Sequence, residues 1–187
     1  MSRAFERALF HGTLAHIDKI DVTQGKPRKD FGRGFYLALS AEQAIGMMHK
    51  KLREATRRSR NKSSEGLVER LYKVQLKPSA ETVLKIKAFD AVDMEWLDFI
   101  LMNREAPDGN AHDYDIVVGP TADDDTMVAL RNYWRGLFGP VGSLKAKQTL
   151  LEVLEPENLG VQCCLCTSKA VELAVMSVNL VDWRMFA

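Results

Sequence analysis

The chain has no surplus of charge: 26 lysines and arginines stand against 25 aspartates and glutamates, leaving +1 over 187 residues. A global polyelectrolyte interaction with nucleic acid or membrane is therefore excluded, and only local patches remain to interpret. Cysteine is equally scarce. Its three copies, Cys163, Cys164 and Cys166, crowd into VQCCLC. An odd number in one short run makes no disulfide framework, and an extended backbone turns neighbouring side chains to opposite faces. The four histidines, His11, His16, His49 and His112, form no recognisable ligand pair with that cluster. No metal site is expected, and small buried side chains in a core strand are the favoured reading. Long apolar runs are missing too: nothing approaches the roughly 18 residues of a membrane span, and MSRAFERALFHG carries no long apolar segment. The expectations are no membrane partner and a cytoplasmic site of action. Repeats and low-complexity tracts are absent as well, so one domain spanning 1–187 is expected.

What is present is an ordinary globular composition, 46% hydrophobic and 27% charged. ALFHGT (8–13) suits a buried strand that delivers His11 near its end. Residues 18–34, DKIDVTQGKPRKDFGRG, combine glycine, proline and cations with little periodicity, and read as a mobile surface loop. FYLAL follows as a second strand. Ser40 then caps a helix that runs through MMHKKLREATRR and frays near Asn61. VERLYKVQL and TVLKIK alternate like strands and, with Pro78 between them, read as a hairpin. From Phe89, the spacing of Val92, Trp96, Phe99 and Ile100 predicts a helix packed on the sheet rather than an aromatic ligand box. YDIVVGPTADDDTMVALRNYW reads as strand, Gly-Pro turn and a helix from about Ala122. LKAKQTLLEVLE is a further helix, and GVQCCLCTS a strand whose Thr167 or Ser168 caps a short helix. LAVMSVNLVDW is the final strand.

Two segments carry candidate chemistry, LFHGT and FGRGFYLA. Each is weak alone, since His-Gly and Gly-x-Gly pairs are common. Their order and spacing together resemble the H-Y-E class of ADP-ribosyltransferases. In that class one strand carries His-Gly-Ser/Thr and a second carries Gly-x-Gly-hydrophobic-Tyr. His11, Gly12 and Thr13 match the first pattern, and Gly32, Gly34, Phe35, Tyr36 and Leu37 the second. The likeness extends, through KDFGRGFYLA, YDIVVGPTADDDT and the TSKA of residues 167–170, to a bacterial family of uncharacterised ADP-ribosyltransferase-like domains.

The resemblance implies an α+β fold with two packed, mainly antiparallel sheets around an NAD cleft. It implies that His11 holds a ribose hydroxyl, that the Gly12 backbone holds the nicotinamide amide, and that Tyr36 stacks on the nicotinamide ring. Thr13, Arg33, Gly34 and Phe35 fall in the same NAD-binding segments. Imidazole and an aromatic face suit such roles. The third signature position departs from the class: its best match is Gln162 instead of glutamate. Glutamine keeps the hydrogen bond and loses the negative charge that would stabilise an oxocarbenium-like cation. Glu152, Glu155, Glu157 and Asp115 are the nearby carboxylates by chain position. Asp115 also suits hydrogen bonding at a strand end, and the Asp123–Asp125 run suits a helix's first turn better than a metal.

Lys26, Arg28, Lys29 and Arg33 could approach a pyrophosphate or simply line a solvated loop. Residues 49–62 hold seven lysines or arginines against one glutamate. That run could draw RNA, DNA or an acidic antitoxin, although without interleaved aromatics a solvated helical face is favoured. The implied function is NAD-dependent mono-ADP-ribosyl transfer to a protein or nucleic acid, in a bacterial toxin or phage-defence setting. The alternative is a catalytically weak NAD-binding module that acts through a protein partner. An RNA-binding protein using the basic helix is a third possibility.

Overall fold

The structure, a computed structural model, describes residues 4–58, 66–107, 111–122, 124–154 and 159–186; side chains 124 and 125 lie outside that description. The chain forms an α+β fold. Strand β1 (Leu9–Thr13) and strand β2 (Phe35–Ala38) are followed by helix α1 (Ala41–Arg58), then β3 (Arg70–Leu76) and β4 (Ile86–Ala88). Helix α2 (Met94–Glu105) leads to β5 (Ile116–Pro120), α3 (Asp124–Trp134) and α4 (Leu144–Glu152), then β6 (Val161–Leu165), α5 (Ser168–Ala174) and β7 (Val175–Val181).

The seven strands make one sheet in the order β4-β5-β6-β2-β1-β3-β7. Only β4 and β5 run parallel; the other pairs are antiparallel. This corrects the expectation of two facing sheets. The two halves meet edge to edge through one registered pair, Phe10↔Ala38. By contrast β2 pairs β6 over four residues and β1 pairs β3 over five. The halves therefore lie in one sheet with a weak seam.

Period-two alternation sorts the strand side chains onto faces. Leu9, Phe35, Leu37, Val74, Val118, Cys163 and Leu165 share one apolar cluster with Ala170 and Ala174 of α5. On the other face Val117 and Cys164 pack with Trp96, Leu97 and Ile100 of α2, Leu130 of α3 and Leu150 of α4. Beside them, Phe10, Ala38 and Leu71 pack under Ala41, Ala44, Ile45 and Met48 of α1. Helix boundaries follow capping chemistry. Asp93 accepts from Trp96 N at 2.9 Å and starts α2, later than the expected Phe89. Phe89 instead extends strand pairing by donating its N–H to Val118 O at 2.8 Å. Thr167 caps α5 through Ala170 N at 3.0 Å, as its sequence position suggests. Likewise Trp96, Phe99 and Ile100 are buried, in keeping with the core reading of their spacing.

Three further expectations need correcting. β3 and β4 do not form a hairpin: β3 is flanked by β1 and β7, a 3-10 turn at Pro78–Thr82 redirects the chain, and β4 joins the far edge alongside β5. Gly119 and Pro120 end β5, opposite Gln162 and Val161, rather than forming a turn outside the strand. The 18–34 segment is docked instead of free, because Ile20, Val22 and Phe31 are buried in the apolar clusters.

Candidate functional site

The seam between β1 and β2 is where the two sequence motifs meet. With Phe10 opposite Ala38, continued antiparallel pairing would set Gly12 opposite Tyr36. That next rung is replaced by side chains. His11 Nδ1 lies 2.7 Å from Tyr36 O, and Lys51 Nζ donates to Gly12 O at 2.8 Å. The imidazole is wedged between the strands and stacks on the Phe35 ring at 4.4 Å. With Nδ1–H donating to the Tyr36 carbonyl, Nε2 is the nitrogen left for an acceptor role. Burial, with Lys51 second, pulls the His11 pKa down to about 4, so the ring is neutral at physiological pH.

Gly12 is required for a steric reason. A Cβ there would lie 2.0 Å from Ala44 O and 2.9 Å from the Met48 Cβ, so only glycine lets α1 cross β1 this closely. Gly34 is held likewise, since a Cβ would meet Cys164 Sγ at 2.5 Å and Leu165 O at 2.6 Å. Thr13 is buried at the end of β1 and its Oγ1 accepts from Ala15 N at 3.2 Å. Arg33, from the loop before β2, reaches Thr23 O at 3.5 Å.

Tyr36 lies on the face opposite Phe35, against Phe31 and the cluster that holds Cys164. Its hydroxyl donates to Gly32 O at 2.7 Å and accepts from Phe31 N at 3.0 Å. Gln162 sits on that same face, two residues along β6 from Cys164, which is itself opposite Tyr36. Its Nε2 donates to Asp30 Oδ2 at 3.0 Å, which fixes the amide with Oε1 turned away from Asp30. The 30–32 segment thus ties Tyr36 to Gln162, and His11 joins Tyr36 through the backbone. Among the described residues no hydrogen bond directly links the three side chains.

Sequence reasoning missed Asp30. It is buried, ion-paired with Arg104 of α2, and accepts from Ala122 N at 3.1 Å as well as from Gln162. Its setting in KPRKDF gave no sign of burial, because charged loop residues are ordinarily solvated. Lys51 was also overlooked as a site residue. Here a signal existed, since Lys51 falls seven residues after Ala44 and three after Met48, on the buried stripe of α1. Burial, then the charges of Lys29 and Lys26, lower its pKa to about 8. Cations from the 26–29 turn and from α1 therefore gather beside the seam.

The remaining candidates separate. Asp115 accepts from Lys85 N (3.0 Å), Thr167 Oγ1 (2.8 Å) and Lys169 Nζ (3.1 Å), so it fastens β5 to the cap of α5 at the end of the strand away from Gln162. Glu152 is exposed at the end of α4. Glu155, Glu157 and the side chains of Asp123–Asp125 fall outside the described residues, as do positions 59–62 of the basic run. Among the described residues no group of three His, Cys, Asp or Glu is placed to hold a metal ion. The cysteines are buried as the sequence implies, but Cys164 and Cys166 share a face with their sulfurs 3.4 Å apart. Alternate strand residues face the same way, a geometry that the comparison of immediate neighbours overlooked.

Residues 8–175 match the profile of a family described as Protein of unknown function (DUF3990). The chain belongs to this family. The span matched to DUF3990 takes in both seam strands, α1 with Lys51, the Asp30 segment and Gln162, and it ends at the first residue of β7. No curated protein and no solved structure matches the chain. Among the described residues no helix is long and apolar enough to cross a membrane.

Proposed function

We propose that the β1/β2 seam binds NAD and that the chain is a mono-ADP-ribosyltransferase with an H-Y-Q signature on an ADP-ribosyltransferase-like fold. The observation that carries this reading is the interrupted ladder. Both carbonyls of the missing rung, Gly12 and Tyr36, are satisfied by side chains instead of backbone, and the lysine that holds one of them belongs to a cationic cluster. A strand pair opened in this way offers backbone groups to a planar amide. The Gly12 carbonyl keeps a second lone pair beside Lys51 for the nicotinamide N–H groups. His11, neutral and held by Nδ1, offers Nε2 to a ribose hydroxyl, and the lysines suit the pyrophosphate.

In this reading Tyr36 flanks the nicotinamide, with its hydroxyl held by the 31–32 segment. Gln162 Oε1 accepts from a hydroxyl of the nicotinamide ribose. The glycosidic bond from ribose C1 to the nicotinamide nitrogen breaks, its electron pair leaving with nicotinamide. An oxygen or nitrogen nucleophile of a protein or nucleic-acid acceptor bonds to C1 and releases its proton to solvent. The bacterial toxin or phage-defence setting, with a possible antitoxin partner and a cytoplasmic location, belongs to the same proposal.

One observation favours a second reading, an NAD-binding module with little turnover. Gln162 carries no charge, and the carboxylate beside it, Asp30, is already neutralised by Arg104. Incubation with NAD labelled in the adenylate part, with nicotinamide release followed in parallel, separates the two. Transfer lost in His11→Ala, Tyr36→Ala and Gln162→Ala supports the transferase. Saturable binding without label transfer or nicotinamide release supports the module, and absence of binding refutes both.

A further inference from the structure

The Cys-x-Cys of β6 is the one sequence feature at the sheet's centre that the seam leaves unused. All three cysteines are buried, but they divide between the faces of the sheet. Cys163 packs with Leu37, Leu165 and the α5 alanines, where burial pushes its thiol pKa far up. Cys164 and Cys166 lie together on the other face, their sulfurs 3.4 Å apart. Cys166 N donates to Asp115 O at 2.9 Å, so pairing with the chain entering β5 continues one residue past the end of β6 and keeps the backbone extended. Alternate Cα atoms of an extended chain stand about 6.6 Å apart with their side chains on one face. That separation lies inside the range of about 4.4–6.8 Å that a disulfide spans, near its upper end. The two thiols are unlike. Cys164 is fully buried, whereas Cys166 is 6% exposed beside the half-buried His112 ring, and His112 Nε2 and Cys166 Sγ both donate to Phe31 O, at 3.1 Å and 3.8 Å. A hydrogen bond from Cys164, and then His112, hold the Cys166 pKa below the ordinary thiol value although burial opposes them, while burial raises that of Cys164. A thiolate-prone cysteine stands beside a second thiol that can resolve it.

We propose that Cys164 and Cys166 are a reversible oxidation site, closed to a disulfide by hydrogen peroxide and reopened by a small thiol, and that closure disturbs the Phe31–Tyr36 segment. The Cys166 thiol releases its proton to solvent, and its sulfur attacks one peroxide oxygen. The O–O bond breaks, and the departing hydroxide takes up a proton to become water, leaving Cys166 as a sulfenic acid. The Cys164 sulfur then attacks the Cys166 sulfur. The S–O bond breaks, and its hydroxide leaves as water with the Cys164 proton. Two thiols have lost two hydrogens, and the peroxide has become two waters. Two equivalents of a small thiol restore the pair and end as their own disulfide. A disulfide near the limit of its span is the more easily reduced kind, which suits reversal. Closure draws the sulfurs from 3.4 Å to about 2.05 Å. The Cys166 S–H that donates to Phe31 O is lost in the process. Cys164 Sγ also abuts Gly34, where a Cβ would lie only 2.5 Å from it, so its movement changes the packing under the chain entering β2. Phe31 N and Gly32 O are the groups that hold the Tyr36 hydroxyl. The consequence for NAD, a weaker site in the closed form, rests on the reading of the seam given above.

Peroxide treatment of the folded parent chain, followed by unfolding, alkylation and mass spectrometry of the cysteine peptide, tests the proposal without any variant. The peptide should lose two hydrogens, keep one alkylated cysteine, Cys163, and regain all three alkylation sites after dithiothreitol. In Cys164→Ala, which lacks the resolving thiol, dimedone should trap a sulfenic acid on Cys166; Cys166→Ala should give neither product. In the absence of NAD, the 15N amide signals of Gly32, Gly34 and Tyr36 should move on oxidation of the parent chain and return on reduction. Three alkylated cysteines after peroxide, a disulfide that includes Cys163 or joins two chains, or closure that leaves those amides in place overturns the proposal. NAD titrations of the open and closed forms read the consequence separately. Affinity should fall on closure and recover on reduction, whereas a chain that binds NAD in neither form refutes the reading of the seam and leaves the thiol and amide results to stand or fall by themselves.

Discussion

At the residue scale, two titrating groups at the seam have opposite consequences. His11 is neutral because burial withholds its proton down to about pH 4, where an unfolded chain would protonate it near 6.5. Its contribution to stability is therefore complete above pH 6.5 and declines as pH falls toward 4. Thermal unfolding at a series of pH values should show this loss in the parent chain and a smaller one in His11→Gln. Lys51 works at the other end of the scale. With its pKa lowered to about 8, mainly by burial and then by Lys29 and Lys26, it loses its charge as pH rises through that value. If it attracts the pyrophosphate, NAD affinity measured by calorimetry should fall between pH 7 and 9. Lys51→Met should bind more weakly at pH 7 and lose that pH dependence. A histidine followed by a glycine was visible in the sequence. That the imidazole replaces a rung of the sheet was not, because it depends on where β2 diverges from β1.

At the element scale, the docked 18–34 segment matters most. Its glycines and cations suggested a mobile loop. The apolar residues that anchor it are few: Ile20 and Val22 alternate over only three positions and Phe31 follows nine residues later, too short a pattern to define an element. Anchored so, it delivers Asp30 to Arg104 and Gln162. Truncating one member of a buried ion pair leaves the other charge uncompensated. Arg104 is poorly placed to tolerate this, since its Nε is buried without a hydrogen-bond partner among the described residues. Asp30→Ala should therefore cost about 3 kcal/mol in chemical denaturation. It should also release the Gln162 amide and so weaken NAD binding. Asp115→Ala offers the contrast: its three partners lie at the other end of β5, so stability should fall while NAD affinity holds. The cap at Thr167 was legible because a side-chain oxygen before a helix acts locally, whereas the Asp93 cap was passed over when the helix was read from Phe89. The β3–β4 hairpin was misread because strand pairing is not local: alternation gives a strand's faces but says nothing of its neighbours.

At the scale of the whole molecule, most of the elements could be read from periodicity, the α+β class came as what the resemblance implies, and the core side chains of α2 could be named. The single sheet could not, because whether two half-sheets face each other or join edge to edge turns on one pair, Phe10↔Ala38. That pair also sets the geometry of the candidate site, since beyond it the strands part around His11. The proposed site for NAD is this opening. The most direct test is a magnetic-resonance titration of 15N-labelled protein with NAD, following the backbone amides of Gly12, Thr13, Phe35 and Tyr36. NAD bound in the seam should shift these four together, saturating along one binding curve, with the shifts lost in His11→Ala. Amides that stay in place at millimolar NAD, or shifts confined to the lysines of the 26–29 turn and α1, would contradict it.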